Sequence, residues 1–281
     1  MQSNRFAASL IAVALLSSAI GFSSVASAQT AAATKDYSPA VGQEGKDVIW
    51  VPTPQSLVER MLQMAGTKPT DYVVDLGSGD GRTVITAAKN FGANALGIEY
   101  NPDMVELAKR NAEKEGVAAK TQFMKADIFQ TDFSKANVLT LYLLPSLNVK
   151  LRPTILNMRP GTRVVSHAFT MDDWQPDQTD SSEGRTAYMW IVPAKAAGTW
   201  TIDAPGVRNV EVTFTQQYQN VAGSAKVDGK VAQLSGGKLR GDLITFSLDG
   251  REFSGRLAGD KIEGSVRGGS EGKFTATRAR G

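Results

Sequence analysis

Residues 73–82 read VVDLGSGDGR, in which an apolar run leads into glycines at alternate positions. The apolar residues predict a buried strand at 72–76 and the periodicity beyond them predicts a helix at 82–91, so the glycines form the intervening turn. Glycine lets backbone approach a ligand closely and permits positive φ, and a helix N-terminus favours negative or polar groups. The spacing G-x-G-x-G differs from the G-x-G-x-x-G of dinucleotide binders. Asp75 and Asp80 would repel a pyrophosphate and attract a cationic ligand.

The same alternation of strand and helix extends outward from this turn. Further strands are predicted at 95–98, 121–125, 138–143, 162–167 and 187–193, and helices at 54–65, 101–115 and 146–157. Thr53 and Pro54 have the character of an N-cap and a first helical residue. Continuous apolar strands separated by helices predict an α/β fold with a doubly wound, mostly parallel, Rossmann-like sheet over residues 46–195. Ligands of such sheets bind beyond the carboxyl ends of the strands.

The two ends of the chain have a different character. Arg5, an apolar run at 6–22 and an Ala-x-Ala pattern ending at Ala28 predict a cleaved export signal at 1–28, with an uncut membrane anchor as the alternative. Residues 29–45 are small and polar and predict a flexible linker. Residues 198–281 are short alternating segments with Asp-Gly turns, which predict a small antiparallel β-rich domain, a meander, sandwich or half-barrel, standing apart or capping the first domain. That segment contains no catalytic motif.

Composition excludes several classes of site. The chain of 281 residues contains no cysteine and one histidine, so disulfides, thiolate chemistry and a multi-histidine zinc site are excluded, and no metal is expected. The formal net charge of +3 is too small to indicate nucleic acid as a partner. Past the N-terminal segment, no stretch is long or apolar enough to predict a membrane span.

Two further carboxylates follow the next strands of the predicted sheet. Glu99 ends the second strand, where a carboxylate can accept hydrogen bonds from both hydroxyls of a ribose. Asp127 follows the third strand and can accept from an adenine amino group, with Ile128 and Phe129 beside the ring. Together with the acidic glycine loop, these positions suit S-adenosylmethionine, which carries a sulfonium and an ammonium.

The segments DLGSGDGR, GIEYNP and KADIF, in this order and spacing, resemble the class I, seven-strand S-adenosylmethionine-dependent methyltransferases. The segments VPTP at 51–54 and YLLP at 142–145 resemble those of a small protein-lysine methyltransferase branch with archaeal and mitochondrial members, over about residues 50–170. The resemblance implies a protein-lysine acceptor and S-adenosylmethionine as the cofactor. By the same resemblance, the cofactor would be held by Asp75, Gly77, Ser78, Gly79, Glu99, Asp127 and Ile128, with Thr53 reaching it from the N-terminal side.

The acceptor side is predicted from the ends of the fourth and fifth strands. Tyr142, Leu143, Leu144 and Pro145 occupy the position where nucleobase-amine methylases carry Asp/Asn-Pro-Pro-Tyr, so an adenine or cytosine amine is disfavoured. Carbonyls around Leu143 and Leu144 can orient an amine, and Tyr142 either assists or is a buried strand aromatic. His167 is interpreted as a base at the substrate mouth or as a structural histidine. The acidic stretch at 172–177 either receives a cationic lysine or is a solvated loop.

Three functions follow from these residues. The first is a methyltransferase acting on a protein lysine. The second is a methyltransferase acting on a small molecule or envelope component, and the third is a non-catalytic binding protein on the same scaffold. The predicted location is periplasmic or extracellular, or anchored if the signal is uncut, and an exported methyltransferase needs a supply of cofactor outside the cytoplasm.

Overall fold

The computed structural model describes residues 37–227 and 229–279. The predicted export signal at 1–28 lies outside the described residues, as do residues 29–36 of the predicted linker. None of the described helices is both long and apolar enough to span a bilayer.

An α/β unit forms the first part of the described chain. Its helices are α1 (Gln55–Met64), α2 (Arg82–Phe91), α3 (Pro102–Lys114) and α4 (Pro145–Leu156). Its strands are β1 (Tyr72–Leu76), β2 (Asn94–Glu99), β3 (Thr121–Lys125), β4 (Val138–Leu141), β5 (Arg163–His167), β6 (Gln178–Ser182) and β7 (Arg185–Ile191). They form one seven-stranded sheet in the order β3-β2-β1-β4-β5-β7-β6. Strands β1 to β5 are parallel, whereas β7 and β6 are antiparallel to their neighbours, so the mixed α/β, mostly parallel prediction is confirmed.

Both faces of this sheet are buried, which explains its uninterrupted apolar strands. Val73 belongs to the core that includes Leu57 and Leu62 of α1, whereas Val74 belongs to the opposite core, with Ile155 of α4. Successive residues of a strand point to opposite faces, so a sheet covered on both sides needs apolar residues at every position. Strand β6 escaped prediction because its sequence, QTDSS, is polar and it lies at the sheet edge beside β7 alone.

The start of α1 differs from the predicted one. The N-cap is Pro54, and no side chain caps the helix. The hydroxyl of Thr53, the predicted cap, instead shares a hydrogen bond of 3.0 Å with His167 Nδ1. The N-cap prediction for Thr53 is therefore wrong, because a partner from β5 takes the hydroxyl.

Residues 42–50 form a short hairpin, called here the N-terminal hairpin. The Gly42 amide donates to the Trp50 carbonyl at 2.9 Å, the Trp50 amide donates to the Gln43 carbonyl at 2.9 Å, and Glu44 is bridged to Ile49. The flexible-linker prediction is wrong for residues 42–45. Polar composition concealed a segment that main-chain hydrogen bonds hold in place.

Nine strands follow the first unit within the described residues. They are β8 (Gly198–Ala204), β9 (Val207–Gln217), β10 (Asn220–Val227), β11 (Lys230–Gln233), β12 (Ser235–Arg240), β13 (Leu243–Leu248), β14 (Arg251–Ala258), β15 (Lys261–Arg267) and β16 (Gly272–Arg278). The sheet order is β11-β10-β12-β13-β14-β15-β16-β8-β9, and β9 also pairs with β10. This last pairing closes the sheet into an antiparallel barrel, so the half-barrel and sandwich alternatives are wrong. Consecutive strands from β12 to β16 pair antiparallel, as the meander alternative predicted. The 11-residue strand β9 is long enough to pair with β8 along one edge and β10 along the other.

The barrel interior is a packed core. Phe246 stacks on Phe253 with centroids 4.9 Å apart, and Phe274 meets Phe253 edge-on at 5.1 Å. Trp200 and Phe214 are also almost fully buried in this core. Gly255 pairs with Gly264 across β14 and β15, where an added Cβ would lie 2.8 Å from the Phe274 ring. Side chains therefore fill the barrel interior, which stabilises the fold.

The acidic stretch at 172–177 joins the sheet to the barrel. Trp174 is fully buried, its indole N–H donates to Gln219 Oε1 at 2.9 Å, and its ring stacks on Tyr218 at 5.8 Å. Asp173 accepts from the Tyr218 hydroxyl at 2.9 Å. Trp174 therefore belongs to a structural joint, and both predicted roles of the stretch, receipt of a cationic lysine and a solvated loop, are wrong for Trp174.

Candidate functional site

A cavity of about 640 Å³ opens at the carboxyl ends of β1, β2 and β4. It lies where the strand order reverses, because β1 is flanked by β2 on one side and β4 on the other. This is the position where open α/β sheets bind ligands. The N-terminal hairpin covers one side of the cavity, and residues 43–53 line it.

The glycine loop between β1 and α2 forms the floor of the cavity. Its glycines have positive φ, +79° at Gly77, +53° at Gly79 and +83° at Gly81. A Cβ on Gly79 would lie 2.6 Å from the indole nitrogen of Trp50 in the hairpin. Glycine is therefore required at Gly79 both by its conformation and by the close approach of Trp50.

Asp75, at the end of β1, is buried and accepts a hydrogen bond of 2.6 Å from the Thr140 hydroxyl. Burial, with a smaller contribution from the nearby Glu99 and Asp80 carboxylates, raises the pKa of Asp75 to about 7, although the hydrogen bonds from Thr140 and Thr83 act to lower it. A buried carboxyl that titrates near neutrality is suited to a cationic ligand group, because a cation would favour its charged form.

Glu99 is held between the glycine loop and the start of α3. The Gly79 amide donates to Glu99 Oε2 at 2.9 Å, and the Asn101 amide donates to Oε1 at 2.9 Å. Each carboxylate oxygen keeps a free lone pair, and Glu99 lines the cavity. Two fixed acceptors at a strand end match the predicted contact with a ribose.

Asp127 lines the cavity at its far end beside Ile128. Its Oδ1 accepts from the Phe129 amide at 2.9 Å and its Oδ2 from Lys46 Nζ at 2.7 Å. The hydrogen bond from Lys46 is the main reason that the pKa of Asp127 lies below its usual value. Lys46 escaped prediction because no motif accompanies it at the border of the predicted linker.

The Ser78 side chain adds to the cavity a hydroxyl that has no hydrogen-bond partner among the described residues. Ser78 is 5 % exposed and lines the cavity, and its hydroxyl has no partner within the described part of the chain. An unpaired buried hydroxyl is unfavourable unless a ligand or water satisfies it. The carboxylates of Asp75, Glu99 and Asp127, together with the Ser78 hydroxyl, therefore fit a cofactor with cationic, ribose and amino groups.

The acceptor end of the cavity follows β4. Tyr142, Leu143 and Leu144 line it, and Phe169 lies beyond Tyr142 with ring centroids 6.1 Å apart. Pro145 begins α4 and is not among the lining residues, so the structure does not bring it to the cavity. Phe169 escaped prediction because it lies in the irregular segment after β5.

His167 is almost fully buried and lies outside the cavity lining. Its ring stacks on the Tyr142 ring with centroids 3.8 Å apart, and its Nδ1 is hydrogen-bonded to the Thr53 hydroxyl. Burial, together with Arg185, lowers the pKa of His167 to about 4, so the ring is neutral at pH 7. Its contacts are those of a positioning residue that holds Tyr142 and Thr53.

Arg82 connects the glycine loop to the segment before α1. Its guanidinium donates to both oxygens of Asp80 and, through Nη1, to the Thr53 carbonyl at 2.9 Å. Thr53 lines the cavity, so its carbonyl and its hydroxyl are fixed from opposite sides. No sequence pattern indicates the contact between Arg82 and Thr53.

Comparison with known proteins agrees with this geometry. The ANTKMT methyltransferase domain family matches residues 75–178. A protein-lysine N-methyltransferase of Saccharolobus islandicus is 40% identical over 151 residues, 52% of this chain and 94% of the archaeal protein. The chain belongs to the class I S-adenosylmethionine-dependent methyltransferases. This methyltransferase is also 34% identical to the adenine nucleotide translocase lysine N-methyltransferase of Mus musculus, but the match spans only 64% of the mouse protein and 53% of this chain.

A solved structure supports the same family and its cofactor. The RNA methyltransferase from Salinibacter ruber, in complex with S-adenosyl-L-homocysteine, is 51% identical, with a TM-score of 0.51, and the match covers 52% of this chain and 95% of the other. The predictions of an S-adenosylmethionine-dependent methyltransferase and of its cofactor are confirmed, and the non-catalytic alternative is set aside. The family match ends at residue 178, before the barrel.

Proposed function

We propose that this methyltransferase N-methylates lysine side chains of a protein acceptor. The observation that carries the proposal is the acceptor end of the cavity, where Tyr142, Leu143 and Leu144 line the wall beside Phe169. Aromatic and apolar walls suit the methylene stem of a lysine, and the carbonyls of this segment suit its amine. The archaeal relative, a protein-lysine N-methyltransferase, supports this acceptor class.

The cofactor contacts are part of the same proposal. Asp75 faces the cationic end of S-adenosylmethionine, Glu99 binds the ribose, and Asp127 beside Ile128 receives the adenine. Gly77, Ser78 and Gly79 let the main chain approach the cofactor, and Thr53 closes the cavity from the hairpin side. When bound, S-adenosylmethionine supplies a methyl group already activated by the sulfonium. The chain itself then has to align a neutral amine and exclude water.

RNA is the second acceptor class, because the Salinibacter relative is an RNA methyltransferase at 51% identity. Direct attack by a nucleobase amine is disfavoured at YLLP, which lacks the carboxylate or amide side chain of such enzymes. The small net charge of +3 also gives little general attraction for phosphates. A small molecule or envelope component remains a third acceptor class.

Label transfer separates these acceptors. The full chain is incubated with methyl-labelled cofactor and a whole-envelope extract, and in parallel with total RNA, beside a Glu99→Ala, Asp127→Ala double variant. We expect label in protein, recovered as methyl-lysine after hydrolysis, and none with the variant. Intact cofactor binding with label only in RNA, or only in small molecules, would refute the lysine proposal.

We also propose that the methyltransferase is exported, on the evidence of the basic, apolar and Ala-x-Ala segments at 1–28. The test is mass spectrometry of the protein recovered from envelope and cytoplasmic fractions of its source cells. We expect a mature N-terminus at Gln29 outside the cytoplasm. An intact N-terminus on a membrane-bound protein would support the anchor, and an intact cytoplasmic protein would refute export.

A further inference from the structure

The tip of the N-terminal hairpin carries a lysine into the cofactor cavity. The Gly45 amide donates to the Val48 carbonyl at 3.0 Å, which forms the tight turn that presents Lys46. Lys46 Nζ lies 2.7 Å from Asp127 Oδ2, 3.5 Å from Asp47 and 5.1 Å from the centroid of the Tyr100 ring. The ammonium thus lies between a carboxylate and an aromatic face.

This position coincides with the proposed place of adenine. Tyr100 directly follows Glu99, the proposed ribose ligand, and Asp127 is the proposed acceptor for the adenine amino group. One oxygen of Asp127 accepts from the Phe129 amide and the other accepts from Lys46. Each oxygen keeps a second lone pair, so it is the place beside Oδ2 that the Lys46 ammonium takes from an adenine amino group. The side chains of Lys46, Tyr100 and Asp127 all line the cavity.

We infer that Lys46 competes with the adenine amino group for Asp127, so that Lys46 sets the affinity of the methyltransferase for its cofactor. This inference rests on the proposed role of Asp127. The ion pair between Lys46 and Asp127 holds the hairpin tip at the proposed adenine end of the cavity. Cofactor binding therefore requires the tip to release Asp127.

The size of the effect follows from the exposure of the pair. The side chains of Lys46 and Asp127 are 33% and 18% exposed, so water and salt screen their attraction. An ion pair of this exposure reduces the population of the open hairpin by about two- to fivefold, and apparent affinity falls by the same factor. Lys46→Met keeps the aliphatic stem and removes the competing charge, so it should bind the cofactor about two- to fivefold more tightly.

The test is calorimetric titration of S-adenosylhomocysteine into the full chain and its variants. Lys46→Arg preserves a cation at the hairpin tip. Lys89→Met is a matched control, because Lys89 forms a similar pair with Glu115 at 2.6 Å and neither residue lines the cavity. We expect tighter binding for Lys46→Met, and values close to wild type for Lys46→Arg and Lys89→Met. Added salt should narrow the gap between wild type and Lys46→Met, because salt screens the ion pair.

Two failures can be told apart. Unchanged or weaker binding by Lys46→Met, with wild-type binding intact and Asp127→Asn weakened, would overturn the competition while leaving the cofactor site in place. Absence of binding by a folded wild-type protein would overturn the cofactor contacts and this inference together.

Discussion

Asp75→Asn should stabilise the protein without cofactor at alkaline pH, at the expense of cofactor binding. In the folded protein, burial raises the pKa of Asp75 from 3.8 to about 7, so the fold favours the protonated carboxyl. The stability associated with that protonated form is fully present below pH 3.8 and is lost as the pH rises through about 7. Above this window, the folded chain carries an unfavourable buried charge that asparagine lacks.

The magnitude follows from the width of the window. Each unit of difference between the folded and unfolded pKa changes the free energy of unfolding by about 1.4 kcal/mol. A difference of roughly three units therefore lowers the stability of the wild type by about 4 kcal/mol at pH 8 and about 1.6 kcal/mol at pH 5. The side-chain amide of asparagine retains a carbonyl oxygen, so the Thr140 hydroxyl keeps an acceptor in the variant.

Urea unfolding of wild type and variant at both pH values measures the difference in free energy of unfolding. The variant should gain stability at pH 5 and gain more at pH 8, while calorimetry shows weaker binding of S-adenosylmethionine. A variant that is equally destabilised at both pH values would refute the reasoning, because the charge state of Asp75 would then contribute nothing to the pH dependence.

Three further substitutions test the site and the fold. Gly79→Ala should lower the free energy of unfolding by about 1–3 kcal/mol and weaken cofactor binding, because the added Cβ would clash with Trp50. Gly66→Ala is the control: Gly66 also has a positive φ, but its Cβ would have no neighbour within 4 Å, so denaturant unfolding should show a smaller loss. Thr53→Val should slow methyl transfer and weaken cofactor binding, because it removes the hydroxyl that His167 holds at the cavity wall. Thr53→Ser keeps that hydroxyl and should keep the rate in label-transfer kinetics, so equal rates for the two variants would contradict the role of the hydroxyl. Trp174→Ala should destabilise the chain by about 3–5 kcal/mol without abolishing cofactor binding by the folded fraction, measured by denaturation and calorimetry; a loss below about 1 kcal/mol would contradict its role as a joint.

The acidic residues that line the cavity were predictable, because each follows a strand that a short apolar run of sequence indicates. Asp75, Glu99 and Asp127 each stand where a short apolar run stops, and parallel strands bring such ends to one edge. All three line the cavity. Lys46 and Phe169 belong to irregular segments, where no periodicity indicates which way a side chain points.

In the barrel, the strands and turns were also predictable from nearby residues, whereas the closure of the sheet was not. Alternating residues and Asp-Gly turns predicted antiparallel strands, and the turn at Asp249 and Gly250 indeed joins β13 to β14. Closure depends on β9 meeting β10 as well as β8, a choice governed by twist and by packing of Trp200 and Phe214 inside. No short pattern encodes that choice.

The amino-acid sequence therefore contained the doubly wound sheet, the glycine loop and the acidic residues that line the cavity, because each depends on residues close together along the chain. The tertiary structure was needed for the contact of Thr53 with His167, the burial of Trp174 against the barrel and the reach of Lys46 to Asp127. Those contacts join residues 114, 45 and 81 positions apart. Their partners are selected by packing in three dimensions, which local propensity and periodicity do not specify.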